Sequence, residues 1–256
     1  MIDPRAVVDP DARLAPDVTV GPFSVIGPGV EIGAGSWIGP HVVIKGPTRI
    51  GRDNRIFQFA SVGDDPQDKK YAGERTFLEI GDRNVIREYC TINRGTVQDA
   101  GITRIGDDNW IMAYVHIAHD CVVGSRTVFA NNASLAGHVR VEDNAILGGF
   151  TLVYQRCRIG THSLCTFASG VHRDVPPFVN ADGYRARPRG INTEGMKRQG
   201  FSASEIRTVR NAYKLVYQSN LRLEEAMAQL APLAETSSVV KHFVEFLQSG
   251  ANGIIR

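Results

Sequence analysis

The chain has 256 residues, with 29 Lys and Arg against 27 Asp and Glu, for a formal charge of +2. That length suits one large domain with or without an appendage, and the near-neutral balance lends no support to a nucleic-acid partner. The start, "MIDPRAVVDP", lacks the apolar run of a signal peptide, and no stretch approaches the roughly 20 apolar residues that span a bilayer. A cytoplasmic protein without a membrane span is expected.

From Ile2 an aliphatic residue returns every sixth position: Val8, Leu14, Val20, Ile26, Ile32, Ile38, Ile44, Ile50, Ile56 and Val62. The run resumes at Ile80, Ile86 and Ile92, and again from Ile105 to Val171; 24 of these 26 positions are Ile, Val or Leu. Two residues before many of them sits something small, as at Ser24, Ser36, Thr48, Ala60, Ala133, Ala145, Thr151 and Ser169. Strand alternation points positions i and i−2 to the same side, so bulky and small residues fill one interior. This is the hexapeptide signature of a parallel β-helix, three hexapeptides making one triangular coil of about 18 residues. Cys90, Cys121 and Cys157 fall at the small positions and Cys165 at an aliphatic one. All four are expected to point inward as small hydrophobes, and no disulfide or metal spacing connects them.

Two interruptions break the period. Between Val62 and Ile80 the in-phase positions are Asp68 and Glu74, which cannot line an apolar core, so residues near 63–77 are expected as a loop thrown out of the coil. Between Ile92 and Ile105, excising Gly95–Gly101 restores the repeat. In a solenoid such excursions commonly build the binding face.

After Val171 the period fades. "RDVPPFVNADGYRARPRG" reads as a connector with little regular structure. Ser202 and Glu205 fit a capping box that opens a helix over Ala203–Gln218. Further helices are expected over Leu223–Ala234 and Val239–Gln248. This places a β-helix in residues 1–187 and a helical unit in 188–256, able to cover the open edge of the last coil. Arg185, Arg187, Arg189, Lys197, Arg198, Arg207, Arg210 and Lys214 concentrate positive charge here, which suits steering of an acidic partner and, without interleaved aromatics, does not suit nucleic acid.

The stretch "YVHIAHDCVV" places His116, His119 and Asp120 around an inward-facing Ile117. Adding 18 moves one coil along, about 4.8 Å. His119 then stacks on Gly137 and Gly137 on Gln155, while Asp120, His138 and Arg156 form the neighbouring column. With the second excursion removed, Asn93 lies one coil before Ala118. Titratable groups converging on one outer strip mark a candidate reaction centre. Three histidines could bind zinc, but Asp120 beside His119 also suits an oriented general base, and Gly137 lets a backbone N–H approach a developing oxyanion. A base with an oxyanion donor and no nucleophile on the protein points to direct acyl transfer to a hydroxyl or amine.

"HIAHDC", "ANNASLAGHV", "IGDRNVIREYCTINRGT" and "RNAYKL" strongly resemble the UDP-N-acetylglucosamine acyltransferases that open lipid A biosynthesis. The resemblance runs nearly end to end. It implies a left-handed winding, a homotrimer with active sites in clefts between subunits, and transfer of a 3-hydroxyacyl chain from acyl carrier protein to the sugar 3-hydroxyl of UDP-GlcNAc, with no cofactor and no metal. In its terms His119 is the general base, Asp120 orients it and the Gly137 N–H holds the oxyanion. Asp68 and Lys70 match a glucosamine-recognising pair. His116, His138 and Gln155 match contacts to the nucleotide sugar and acyl product, Asn192 and Glu194 match uridine-side contacts, and Arg198 matches a residue near the carrier. Phe167 matches the position that limits acyl length, where a phenyl ring implies a donor of medium length. Asn93, Tyr154 and Gln199 depart from the pattern, at positions where relatives have histidine, histidine and arginine. An amine acceptor on a diamino sugar therefore stands as the alternative, and a zinc-dependent hydratase on the same fold as a third reading.

Overall fold

The computed structural model describes residues 1–256. Its strands, mostly two residues long, wind into three sheets of nine, eight and ten strands, parallel but for the last pair of the third, that form the sides of a left-handed triangular prism. Sheet 1 runs from Val7–Val8 through His116–Ile117 to Gly170–Val171, sheet 2 from Arg13–Leu14 through Val122–Val123 to Arg158–Ile159, and sheet 3 from Thr19–Val20 through Trp110–Ile111 to Leu164–Cys165. Ile92 pairs with Ile117, Ile117 with Leu135 and Leu135 with Val153, so the aliphatic positions stack coil upon coil. Ile26, Ile38, Ile44, Ile56, Ile86, Ile92, Ile111 and Ile117 are completely enclosed. Each contributes roughly 1.5–3 kcal/mol by leaving water, and Ile117→Ala would cost about 2–5 kcal/mol.

The small positions are buried as the repeat implies, and their hydroxyls are used: Ser24 Oγ donates to Gly39 O at 2.7 Å and accepts from Val42 N at 3.1 Å. At the corner between sheets 2 and 3, Asn54, Asn84 and Asn109 form a ladder in which each Oδ1 accepts from the backbone N–H of the next rung, ending on Thr127 at 2.8 Å. These bonds satisfy buried polar groups that would otherwise cost about 1–3 kcal/mol each. All four cysteines are buried, and burial pushes each thiol up to about 12.

The outer faces differ. Sheet 2 presents mostly charge, Arg13, Glu31, Arg49, Glu79, Arg104, Arg140 and Arg158 with Val122 among them, whereas sheet 3 is mostly apolar, with Trp37, Val85, Trp110, Val128, Ile146 and Leu164 beside Thr19 and Arg55. At the corner between sheets 3 and 1 the rings of Phe23, His41, Phe59, Tyr89 and Tyr114 stack in a column with centroids 4.7–5.1 Å apart. Their backbones are left-handed, with φ between 56° and 63°. Such a conformation costs about 1–2 kcal/mol for a side chain with a Cβ, and the ring contacts, about 0.5–1.5 kcal/mol each, offset it.

The connector is more regular than its composition implies. Val179–Asp182 adds to sheet 3 beside Leu164–Cys165 and then pairs antiparallel with Arg187–Ile191. Proline is tolerated because this pair lies at the sheet's end, where Pro188 has no further strand to serve. A short helix α1 (Thr193–Arg198), absent from the periodicity, follows, capped by the Asn192 side chain. Helices α2 (Ala203–Tyr217), α3 (Leu223–Thr236) and α4 (Ser238–Gln248) lie within a residue or two of expectation, and the Ser202–Glu205 capping box is formed. The helical tail is fastened to the last coils. His242 Nε2 meets Glu142 at 2.9 Å, Arg158 bonds Asp174 at 2.7 Å and Phe246 O at 2.8 Å, and Asp174 bridges to Ile254. No helix is long and apolar enough to cross a membrane.

Candidate active site

The coil arithmetic holds at the histidines. Thr91 pairs with His116, and the His138 N–H donates to the His119 carbonyl at 3.0 Å across the corner between sheets 1 and 2. The imidazoles of His119 and His138 meet edge to face, with centroids 5.1 Å apart. His119 Nδ1 lies 2.9 Å from Asp120 Oδ2. A carboxylate only accepts, so Nδ1 carries the proton in that bond and Nε2 is left as the free basic atom.

Asp120 departs from the expected outer strip. Its carboxylate is only 1% exposed, because the second excursion folds back over it. Thr96 N donates to Oδ1 at 2.9 Å and Thr96 Oγ1 to Oδ2 at 2.6 Å, while Thr103 Oγ1 accepts from the Asp120 N–H at 2.8 Å. Burial alone would push this carboxyl up; the hydrogen bonds from His119 and Thr96, with His138 nearby, outweigh it and hold it below the usual carboxylate range. The ionised form is thus kept beside His119. His116 is held by Thr91 Oγ1 at 2.7 Å from Nδ1, and burial, then His119, hold it below the ordinary histidine range. It is therefore a neutral polar group near neutral pH.

Gly137 leaves room for the His119 ring: a Cβ there would lie 2.6 Å from Cε1 and 2.8 Å from Nε2. Its N–H donates to no acceptor in the chain, so it is free for an incoming oxygen. Cys121 follows Asp120 directly but points into the prism with its thiol pushed up to about 12. It offers no thiolate for an acyl-enzyme.

The first excursion, with Asp68 and Lys70, is stapled to the coil from below. Asn93 Nδ2 donates to Asp65 O at 2.8 Å, and buried Arg94 contacts Asp65, Gly63 O at 2.5 Å and Tyr71 Oη at 3.1 Å. Lys70 N donates to Asp68 Oδ1 at 3.0 Å. Gln155 lies in a cleft with Tyr154 and His172, between the last coils and the tail, whose charged lining is Arg173, Arg185, Arg187, Arg222 and Arg256 without Asp or Glu. Phe167 stands on the surface, its ring edge-on to Phe150 at 5.7 Å. Asn192 donates to His162 O at 3.0 Å, Glu194 pairs with Lys197 at 2.9 Å, Arg198 ends α1, and Gln199 is its C-cap. No hydrogen bond or ion pair within one chain joins this group to His119.

Sequence reasoning missed Arg94, Thr96, Asp99 and Thr103. Thr103 had a signal, since it is a hydroxyl at the inward i−2 position of Ile105. Thr96 and Asp99 had none, because nothing in an excised loop reveals where it folds back.

His119, Asp120 and His138 bring ligand atoms within 4.8 Å of one another. An ion there would have to displace existing partners: both Asp120 oxygens are occupied by Thr96 and His119, and His138 Nδ1 sits 2.7 Å from Asp99. The donor set fits a proton-transfer site better than a cation cage.

The bacterial transferase hexapeptide (six repeats) family matches residues 102–137, and the family described as UDP N-acetylglucosamine O-acyltransferase, domain 2, matches residues 174–255. The chain is 58% identical over 260 residues to the acyl-[acyl-carrier-protein]–UDP-N-acetylglucosamine O-acyltransferase of Janthinobacterium sp. (strain Marseille), covering 100% of this chain and 99% of that one. It is 58% identical over 237 residues to the enzyme of the same name from Herminiimonas arsenicoxydans, covering 86% and 90%. Among solved structures, the UDP-N-acetylglucosamine acyltransferase of Francisella novicida superposes with a TM-score of 0.98 at 42% identity, covering 100% of this chain and 94% of that one. The O-acyltransferase of Moraxella catarrhalis gives 0.98 at 45% identity, covering 100% and 99%. Prism and imidazole–carboxylate pair together define an acyltransferase of the hexapeptide-repeat class. Within that class, the chain belongs to the UDP-N-acetylglucosamine O-acyltransferase family.

Proposed function

We propose that this enzyme transfers a 3-hydroxyacyl chain from acyl carrier protein to the sugar 3-hydroxyl of UDP-GlcNAc in the cytoplasm, as the first step of lipid A synthesis. The observation that carries the reading is the His119–Asp120 pair with Gly137 against the imidazole, in a chain 58% identical to relatives named as acyl-[acyl-carrier-protein]–UDP-N-acetylglucosamine O-acyltransferases. His119 Nε2 takes the proton of the acceptor hydroxyl as its oxygen attacks the thioester carbonyl. Asp120 stabilises the resulting imidazolium, and the Gly137 N–H donates to the oxyanion. Collapse breaks the C–S bond, and the departing thiolate takes the proton from His119. Asp68 and Lys70 on the stapled excursion hold the glucosamine, with His116, His138 and Gln155 lining the path of sugar and acyl chain. The cleft of five arginines beside Gln155 faces the acidic carrier.

The reading includes a homotrimer. The mostly apolar sheet 3, the aromatic column and the Val7, Val25 and Val43 end of sheet 1 form a wedge opposite in character to the charged sheet 2. Exposed apolar surface on this scale marks an interface, and three wedges meeting about an axis close into a ring. Sheet 1 of one subunit would then face sheet 3 of the next, bringing Asn192 and Glu194 of a neighbour to the uridine end, its Arg198 to the carrier side and Phe167 to the end of the acyl groove. The division into residues 1–187 and 188–256 belongs to the same reading.

The test is mass spectrometry of the product formed from a mixture of hydroxyacyl carriers with UDP-GlcNAc and the corresponding 3-amino sugar nucleotide. An ester of UDP-GlcNAc supports the reading. An amide of the amino sugar alone would replace it with N-acylation, which the substitutions at Asn93, Tyr154 and Gln199 make worth including. No acylated product from either acceptor would overturn both.

A further inference from the structure

The second excursion reaches both carboxylate–imidazole pairs of the site, holding one carboxylate and supplying the other. Thr96 secures Asp120 beneath His119, while Asp99, three residues on, reaches His138: its Oδ2 lies 2.7 Å from Nδ1. The His138 side chain is 11% exposed, and Nε2 has no partner in the chain. The groups facing this ring are Asp99 from the excursion, Asp120 at 3.9 Å from the same Nδ1, and the edge of His119 at 5.1 Å between centroids. Arg156 occupies the same column one coil on and makes no ion pair with it.

We propose that Asp99 is a positioning residue that fixes His138 as its Nδ1–H tautomer, so that Nε2 of this second imidazole accepts a hydrogen bond from a hydroxyl or N–H of the bound substrate. A carboxylate offers only lone pairs, so the atom 2.7 Å from it carries the hydrogen. In a neutral ring the other nitrogen is then an acceptor. His119 and His138 therefore present the same kind of atom to the cleft for different tasks, one to remove a proton and the other to hold a donor group in place. The partner of His138 sets the tautomer just as Asp120 sets that of His119, and it comes from a loop that the repeat does not include.

This inference rests on the acyl-transfer reading for its kinetics, not for its spectroscopy. In full-length protein with ¹⁵N-labelled histidine at alkaline pH, the His138 ring is expected as the Nδ1–H form. Asp99→Ala, and Asp99→Leu as the variant that keeps bulk in the excursion, should shift it toward Nε2–H. Asp99→Asn, whose amide oxygen still accepts, should preserve it. Both apolar variants should raise KM for the substrate that donates to His138 roughly 3- to 10-fold, the range for one lost hydrogen bond, with a smaller change in kcat and with rescue by Asp99→Asn. In a His138→Ala background, Asp99→Ala should add nothing. An unchanged tautomer in both apolar variants would overturn the proposal, as would additive effects in the double variant. If wild-type protein shows no acyl transfer, the functional reading fails while the tautomer measurement still decides the role of Asp99.

Discussion

The imidazole of His119 occupies the space that a side chain at Gly137 would need, with Cε1 only 2.6 Å from the position of a Cβ. The glycine follows from packing before it follows from chemistry: one coil spacing separates the two residues, and the ring lies across it. Gly137→Ala should therefore displace the His119 ring while leaving the prism folded. A displacement of about 1 Å at the reacting group is enough to lower kcat about 100-fold. Steady-state assays with a thermal melt check this; wild-type turnover would show that the ring has other room.

His119→Ala should lower kcat by about 10²–10⁴, the usual contribution of a general base. Asp120→Asn should lose less, because the amide can still accept from Nδ1 but cannot balance the imidazolium charge. Single-turnover rates of the two variants check the order, and unchanged turnover in His119→Ala would remove His119 from its assigned role.

Phe167→Gly should extend the range of donors to longer hydroxyacyl chains, since the ring that ends the proposed groove would be gone. Competition among carriers of graded chain length is the measurement. No gain for any longer donor means the ring packs on Phe150 without touching the chain.

Glutamates in place of Tyr89 and Tyr114 should break the proposed trimer, because two charges would enter its apolar seam. Light scattering after size-exclusion chromatography reads the mass directly. If the double variant remains trimeric, the seam lies elsewhere.

The bond between His242 and Glu142 ties α4 to the coil, and that hydrogen bond holds His242 above its ordinary value of 6.5. A group raised in the folded state stabilises fully below its unfolded value and loses that effect as pH rises through the folded one. Both side chains are partly exposed, so the pair is worth at most about 1 kcal/mol. His242→Gln should therefore melt lower than wild type by about 2–4 °C at pH 6, with the gap closing by pH 9. A gap that widens with pH would reverse the assignment.

The coil was legible because each position repeats the same decision: an aliphatic residue every six either faces inward or leaves the prism hollow. Cys90, Cys121, Cys157 and Cys165 were placed by the same logic, and so was the column of His119 and Gly137, since register in a solenoid is set by counting. The Ser202–Glu205 helix start was legible because a cap is a local hydrogen-bond pattern. The antiparallel pair at Val179–Asp182 and Arg187–Ile191 was not, since its glycines and prolines mask a pairing that depends on the exposed end of sheet 3. Helix α1 was too short for periodicity to declare itself.

By itself, then, the sequence determined the length of the coil, the interior and the column on which the imidazoles stand, because those follow from short-range alternation repeated many times. Only the tertiary structure decided that Asp120 is buried, that Thr96 and Thr103 hold it, that Asp99 reaches His138 and that Asn93 and Arg94 staple the first excursion. All of those contacts except the Thr103 bond involve a segment outside the repeat. Where such a loop returns is set by hydrogen bonds to groups many residues distant, and no periodicity encodes them.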